Sequence, residues 1–364
     1  MSSSLFGADD HLVKPAAGDL EKVPDDEQLY IESSIESFRT KMSADYAGKD
    51  TLRAAHPKMH GCVRATFTVE PDLDEELRIG VFGKNRPGTY QAYVRFSNSS
   101  ETPQDDSKPD IRGVAIKLLG VKGWKLLDGE ERDETQDFLL ISHNRFILPD
   151  VKAFSGFAQA ISTGTVPGFM LRNPSVFLRA LKALGKHSSP LEIPYWSAVP
   201  YLLGKQAVKY KLRPTGNEKT PIPAKPGPDY LHDVMWQRLG SGPVSFDFMV
   251  QVQPRRDPKL IEDATVEWSE KEIPFVKVAT LTIPSQKLAD SEALQEQGED
   301  MSFNPWRSLP EHRPLGGLSR ARRQAYRALS AFRHLRNAAT DTTDRPADPA
   351  SMKAKMPSVK AAQG

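Results

Sequence analysis

The sequence has one cysteine, Cys62, and a formal net charge of only +2 over 364 residues. A single cysteine excludes an internal disulfide and any site with several cysteine ligands. The small net charge excludes a protein that binds nucleic acid through its overall field, so any electrostatic function must be local. No stretch approaches about 18 uncharged apolar residues, and the start MSSSLFGADD lacks the order of a signal peptide. We expect a cytoplasmic protein with no integral membrane segment.

Several familiar site motifs are missing or incomplete. The chain contains no phosphate-binding loop and no nucleophile elbow, and the GSG at 240–242 is not completed into a dinucleotide fingerprint. His56 and His60 stand four residues apart in HPKMH, but Pro57 follows the first and no third ligand is evident. A zinc site is therefore not expected.

The periodicity of apolar residues changes along the chain. Ile31, Ile35, Phe38, Met42 and Tyr46 recur at steps of three and four, which predicts one face of an amphipathic helix. Period-two or apolar runs that predict strands are CVRATFTVE, TYQAYVRFSN, GVAIKLLG, VSFDFMVQV and PFVKVATLTI. A second helical pattern lies in SVFLRALKALG. The fold class is α+β, with an antiparallel β core and helices grouped around it.

The ends of the chain differ in composition from its centre. Residues 1–26 are polar and predict a disordered N-terminal arm, and residues 338–364 are low in large apolar residues and predict a disordered tail. Residues 27–337 are expected to form one folded domain. Within it, RPTGNEKTPIPAKPGPDY is typical of a long surface loop.

The segment RARRQAYRALSAFRHLR, from Arg320 to Arg336, holds six arginines and one tyrosine. If the segment is a helix with 100° per residue, Arg322, Tyr326 and Arg333 project from one stripe. The other four arginines, Arg320 and Arg336 among them, point elsewhere and are expected to be solvated.

Two interpretations of this stripe are open. An arginine four residues before a tyrosine stabilises phenolate over phenol, and tyrosine is one of the recognised axial ligands of haem iron. The alternative is a basic helix that meets an acidic partner or a membrane surface. The segment taken alone favours the surface helix, so the iron site needs its second half elsewhere in the chain.

That second half is met by two further blocks. Arg53 stands three residues before His56, and Gly61 follows five residues after it. The second block contains the run Val94–Ser97 and then Asp110, Arg112, Gly113, Ala115 and Lys117. In these blocks and in the arginine–tyrosine segment, taken in order, the sequence resembles the catalase superfamily from about residue 50 to residue 337.

The resemblance implies a catalase-like β-barrel that carries a buried haem b. Tyr326 would be the proximal ligand of the metal, and Arg322 would keep it as phenolate. Arg53, Arg95 and Arg333 would bind the haem propionates. On this basis residues 27–337 are expected to be a catalase-like haem domain.

The resemblance also implies a distal group of residues. His56 would be the catalytic acid and base, Ser97 would fix its ring, and Phe154 would pack on the haem face. True catalases have a distal asparagine ahead of a Thr-Pro-aromatic run, and this chain has LLISHNRFILPD there. No asparagine meets the position in ungapped register, and Asn144 or His143 reaches it after a small shift. Asn144 is taken as the candidate.

We expect the long C-terminal helical region of ordinary catalases to be missing, and this favours the small catalase-related proteins. We expect a haem peroxidase that reduces hydrogen peroxide or organic hydroperoxides, such as fatty-acid hydroperoxides. One alternative is a fatty-acid hydroperoxide isomerase or dehydratase on the same haem, and another is a non-catalytic carrier of haem or an apolar ligand. A homodimer is compatible with the sequence, and nucleic acid is not an expected partner.

Overall fold

The computed structural model describes residues 20–216 and 219–344, without the side chains of residues 339–344. The helices are α1 Glu27–Asp45, α2 Val151–Ser162, α3 Val166–Arg172, α4 Pro174–Ala183, α5 Tyr230–Ser241, α6 Lys259–Glu262, α7 Glu292–Asp300 and α8 Gly317–Asp344. Nothing in these helices combines the length and the apolar character that crossing a bilayer requires.

The strands are β1 Met59–Val69, β2 Thr89–Asn98, β3 Arg112–Leu119, β4 Thr135–Ile141, β5 Tyr195–Trp196, β6 Tyr201–Leu203, β7 Gln206–Pro214, β8 Val244–Gln253 and β9 Val276–Ile283. They pair antiparallel in the order β5-β4-β3-β2-β1-β9-β8-β7-β6. A further pairing of β5 with β7 closes eight of them into a barrel, and β6 lies outside on β7. The predicted α+β class with an antiparallel barrel core is confirmed.

Aromatic side chains fill the inside of the barrel. The alternation predicted for β1 holds, since Val63, Ala65 and Phe67 are buried while Arg64 is exposed. The Phe67 ring lies 5.1 Å from that of Phe248, centroid to centroid, in an edge-on arrangement. Such aromatic pairs add to the burial of apolar area, so the barrel is a packed core and leaves the ligand space outside it.

Helices cover one side of the barrel. α1 packs against both α2 and α8, and its predicted apolar face is buried, including Ile31, Ile35, Phe38 and Met42. The space between this helical layer and the barrel wall is where the candidate site lies.

The predicted ends of the folded domain need correction where the structure describes them. Residues 20–26, predicted as part of the arm, lie on the fold, because Leu20 is buried and Glu21 pairs with Arg320 at 2.6 Å. At the other end α8 runs on to Asp344, past the predicted start of the tail. Residues 1–19 and 345–364 lie outside the described residues, so disorder there stays a prediction.

The expectation that Arg320 is solvated is wrong. Its side chain is 3% exposed and forms ion pairs with Glu21, Glu27 and Glu262 at 2.6, 2.7 and 3.0 Å. A buried guanidinium needs several acceptors, and these three carboxylates supply them. Arg320 therefore fastens the start of α8 to the N-terminal segment and to α6.

Candidate active site

A cavity of about 470 Å³ lies between the barrel wall formed by β2, β3 and β4 and the layer formed by α1, α2 and α8. This volume is in the range of roughly 300–1,000 Å³ that is usual for small-molecule and cofactor sites. Most of the lining is apolar, with contributions from Phe38, Val114, Phe157, Ile161 and Leu329. Polar side chains also line the cavity, and seven of them form three groups.

The first polar group is on α8. Leu318, Arg322, Tyr326 and Leu329 recur along one face of this helix, and all of them line the cavity. The Nε of Arg322 donates a hydrogen bond to the Tyr326 hydroxyl oxygen at 3.2 Å. The predicted pair is therefore formed, and it faces the cavity.

The charge of Arg322 is secure in this environment. Burial lowers its pKa, but the neighbouring phenol groups of Tyr326 and Tyr201 raise it, so that the pKa stands above the ordinary value for arginine. The Tyr201 hydroxyl is buried beside Arg322 and has no hydrogen bond of ordinary geometry within the described part of the chain. The Tyr326 hydroxyl oxygen therefore accepts a hydrogen bond from a charged guanidinium.

The second polar group contains His56, in the loop before β1, and Ser97 on β2. The Nδ1 atom of His56 lies 3.0 Å from the Ser97 hydroxyl oxygen, and Arg95 donates to the His56 carbonyl oxygen at 3.0 Å. Burial, with the charge of Arg95 as the next cause, lowers the pKa of His56 to about 4. The imidazole is thus uncharged at neutral pH and able to accept a proton.

His56 is held in an unusual backbone conformation. Its φ is 60°, and that of Ala198 is 59°; among the described residues no other residue apart from glycines has positive φ. Both residues line the cavity. Such conformations cost about 1–3 kcal/mol each and are concentrated at functional sites, where the surroundings impose them. Here the hydrogen bond from Arg95 to the His56 carbonyl is part of that constraint.

Gly113 on β3 is a site residue that the sequence-based assignment left out. A Cβ atom at this position would lie 2.5 Å from both Cε1 and Nδ1 of the His56 ring, and 3.1 Å from the Ser97 hydroxyl oxygen. Gly113 is paired with Ser97 across the β2–β3 ladder. The glycine therefore leaves the space in which the imidazole lies. The only sequence signal for it was its place in the Asp-x-Arg-Gly block.

The third polar group is a cluster of arginines at one edge of the cavity. Arg53 and Arg95 share the carboxylate of Glu299, at 2.8 and 3.3 Å. Arg333 donates to the carbonyl oxygens of Glu299 and Asp300, at the C-terminal end of α7, at 2.6 and 2.8 Å. Burial and the charges of the other two arginines lower the pKa of Arg53 well below its ordinary value.

These residues fit a haem on two observations. The guanidinium groups of Arg53 and Arg95 share one carboxylate, that of Glu299, whose side chain is 40% exposed. Positive charge is therefore in excess at the place where haem propionates would bind. The Nε atom of Arg95 is buried with no hydrogen-bond partner among the described residues, which marks a place for a further acceptor. Apolar walls and a phenol paired with a cation are the other requirements of a haem pocket with a tyrosine ligand.

Of the predicted site residues Phe154 and Asn144, only Phe154 lines the cavity. Phe154, on α2, lines the cavity, with its ring 5.9 Å from that of Phe38. The assignment of Asn144 as a catalytic residue needs correction, because its amide donates to Glu267 at 3.0 Å and the residue does not line the cavity. The lining positions there are Ile141, Phe146 and Ile147. After β4 the chain turns so that the apolar neighbours of Asn144 face inward.

Glu101 is another lining residue that the sequence did not indicate. It lies at the cavity, and burial raises the pKa of its carboxyl group. A carboxyl with a raised pKa that lines the same cavity as His56 is a second titratable group of this site.

Comparison with known proteins gives a consistent result. No protein-family model matches the chain. It is 29% identical over 276 residues to a catalase-related peroxidase of Mycolicibacterium paratuberculosis (strain ATCC BAA-968 / K-10), over 70% of this chain and 80% of that protein. A fungal catalase structure superposes with a TM-score of 0.62 at 16% identity, covering 78% of this chain and 60% of that one. Catalase A from Saccharomyces cerevisiae gives 0.57 at 16% identity, covering 78% and 62%.

The closed antiparallel barrel with its helical layer is thus the fold of the catalases, although the chain spans only about three fifths of the length of these two catalase structures. The predicted resemblance is confirmed. The chain therefore has the catalase fold and is similar in sequence to a catalase-related peroxidase.

Proposed function

We propose that this protein is a haem-dependent peroxidase that reduces hydrogen peroxide or organic hydroperoxides. The observation that carries the proposal is that a single cavity is lined by both the Arg322–Tyr326 pair and the His56–Ser97 pair. The named activity of the mycobacterial relative supports it. Haem b is the proposed cofactor, since it needs no covalent attachment to the protein.

On this proposal the residues of α8 and the arginine cluster bind the cofactor. Tyr326 would bind the haem iron through its hydroxyl oxygen, to which Arg322 donates a hydrogen bond. Arg53, Arg95 and Arg333 would donate hydrogen bonds to the propionates, and Phe154 would pack beside the ring. Bound haem would supply cleavage of the peroxide O–O bond, giving water or an alcohol while an organic donor is oxidised.

His56 would move the proton that this cleavage needs. The tautomer that donates from Nδ1 to Ser97 leaves Nε2 free to take a proton from one peroxide oxygen and to return it to the other. The low pKa of His56 keeps the imidazole in its accepting form at neutral pH. Gly113 would keep the ring in place by leaving room for it.

The residues that line the cavity after β4 favour a peroxidase over an enzyme that rapidly disproportionates peroxide. With Asn144 turned toward Glu267, no asparagine of the segment after β4 lines the cavity. The same apolar lining favours fatty-acid hydroperoxides, so a hydroperoxide isomerase or dehydratase is the second candidate. The two candidates differ in how much electron donor they consume. In each turnover a peroxidase oxidises one two-electron donor or two one-electron donors, whereas an isomerase oxidises none.

The test is a haem titration of the purified protein and of three variants, Tyr326→Phe, His56→Ala and Tyr93→Phe. The Tyr326 variant should lose most bound haem or change its absorption spectrum, because the phenol oxygen is removed. The His56 variant should keep haem and lose peroxide reactivity by roughly 10²- to 10⁴-fold. Tyr93 does not line the cavity, so its variant is the matched control and should behave as the native protein.

Two outcomes would count against the proposal. An unchanged haem content and spectrum in Tyr326→Phe would remove the axial ligand assignment. A native protein that binds haem but leaves every hydroperoxide unreacted would indicate a haem carrier with the catalase fold.

A further inference from the structure

Large apolar side chains are exposed together on α3 and α4. Of the eleven large hydrophobic residues that are exposed in the described part of the chain, five lie between positions 171 and 184. Leu171 is 84% exposed, Leu178 57% and Leu181 53%, and Phe177 and Leu184 are the other two. Contiguous apolar exposure of this kind marks an interaction surface.

This exposure is not the edge of a packed core. The opposite face of α4 carries Val176 and Ala183, seven residues apart, and both are buried. Val176 belongs to a cluster with Leu148, Ala160 and Phe169 that fastens α3 and α4 to α2. α4 is therefore apolar on its outer face as well as its inner face, and a helix of this kind requires a second apolar environment.

The same surface is basic. Residues 165–191 contain Arg172, Arg179, Lys182 and Lys186 and no acidic residue, although Asp and Glu make up 47 of the 364 residues of the chain. Arg179 donates to the Ile147 carbonyl oxygen at 2.7 Å, while Arg172, Lys182 and Lys186 are exposed. Leucine and phenylalanine flanked by lysine and arginine, without carboxylates, match a surface of apolar chains and anionic headgroups.

The cavity opens at this surface. Met170, Ala180 and Leu184 line the cavity, and Leu184 is also 41% exposed. The residue therefore lies at a mouth, with the interior of the site on one side and the exposed apolar patch on the other. A molecule that enters here passes over the outer faces of α3 and α4.

We propose that the apolar-basic face, formed by Leu171, Phe177, Leu178, Leu181, Lys182 and Lys186, docks on the surface of an anionic phospholipid bilayer. In that position the cavity mouth faces the lipid, so that apolar molecules dissolved in the bilayer reach the site directly. A second copy of the chain is less suited to cover this face. A two-fold symmetric contact would bring Lys182 and Lys186 of both copies close together, and their like charges would repel.

The test is co-sedimentation of the full-length protein with vesicles. No peroxide is present, so the result does not depend on whether the protein is a peroxidase. Vesicles of phosphatidylcholine alone are compared with vesicles containing about one third phosphatidylglycerol, at about 0.1 M and about 1 M salt. We expect binding to the anionic vesicles that weakens at high salt, and little binding to phosphatidylcholine alone.

Two double variants and two controls separate the contributions. Leu178→Ser with Leu181→Ser should lower the partition coefficient at least tenfold at both salt concentrations, since each apolar side chain adds to insertion. Lys182→Glu with Lys186→Glu should lower it mainly at low salt. Trp124→Ser and Lys271→Glu alter exposed residues outside the face and should leave binding unchanged.

Vesicle binding that is absent, or that is equal in the leucine variant and the native protein, would overturn the proposal. Sedimentation velocity without vesicles provides the other decisive result. If the leucine substitutions convert a native dimer into monomers, the face is an interface between two copies and not a lipid contact.

Discussion

Replacing Gly113 by alanine should displace the His56 ring and slow the proposed reaction with peroxide. The added Cβ atom would stand 2.5 Å from two atoms of the imidazole. Carbon contacts in proteins settle at about 3.5–4.0 Å, so one side must retreat by roughly 1 Å. Gly113 is in the middle of the sheet, paired with Ser97 on one side and with Ile141 on the other. The strand is therefore fixed, and the ring is the part that moves.

The displacement changes the site in a defined way. Moving the ring by about this amount breaks its 3.0 Å contact with the Ser97 hydroxyl. Misplacement of a reacting group by about 1 Å costs roughly 10²-fold in rate, and this is the expected loss of kcat/KM for hydrogen peroxide. Tyr326 and Arg322 lie on a different element, so haem content and the absorption spectrum should be retained.

The assay compares haem-loaded native protein, Gly113→Ala and Gly240→Ala. The last is the matched control, because a Cβ at Gly240, in helix α5, would meet nothing within 4 Å. It should keep the native rate. If Gly113→Ala keeps both its haem and the native kcat/KM, the position of the His56 ring does not set the rate, and the proton-transfer role proposed for it fails.

Two further predictions concern the charges at the cavity. Glu299→Gln removes the carboxylate shared by Arg53 and Arg95. It should lower the free energy of unfolding of the haem-free protein by about 1–2 kcal/mol. The loss should be smaller in the haem-loaded protein, because the propionates would replace the lost acceptor. Thermal unfolding of both forms measures this, and an equal loss in both would separate the arginine cluster from haem binding. The low pKa of His56, about 4, predicts a kcat/KM that is level at neutral pH and falls as the pH drops through about 4, where the imidazole becomes protonated and cannot accept a proton. Rapid mixing measures this before acid unfolding, and a midpoint near the ordinary value of about 6.5 would show a solvated imidazole.

Much of the fold follows from local patterns in the sequence. The period of two in CVRATFTVE and the steps of three and four in α1 were sufficient to predict β1 and the buried face of that helix. The closure of the barrel was different, since the pairing of β5 with β7 involves a two-residue strand with no recognisable pattern. Short strands of this kind are set by the strands around them, so the resemblance to a known family was needed to predict a barrel.

The candidate site was predicted where a helix carries it. The spacing of Arg322, Tyr326 and Arg333 fixes their common side, because 3.6 residues per turn is a property of the backbone itself. Asn144 was assigned wrongly because it lies in the turn after β4, where no period determines which side chains face inward. Glu299 and Gly113 were missed because their significance depends on residues more than fifty positions away, Arg95 and His56 respectively.

The cluster of arginines in α8 shows why composition alone could not assign a function to this helix. Arg320 is buried among carboxylates of three distant segments, Arg322 meets Tyr326 in the cavity, and Arg333 binds the end of α7. Arg336 donates to the hydroxyl oxygen of Thr51 at 3.0 Å, near the start of the loop that carries His56. These four guanidinium groups therefore have acceptors within the fold, and their positive charge is used there. The basic surface that is available to a partner lies instead on α3 and α4, where cations stand beside exposed apolar side chains and no carboxylate accompanies them in the sequence.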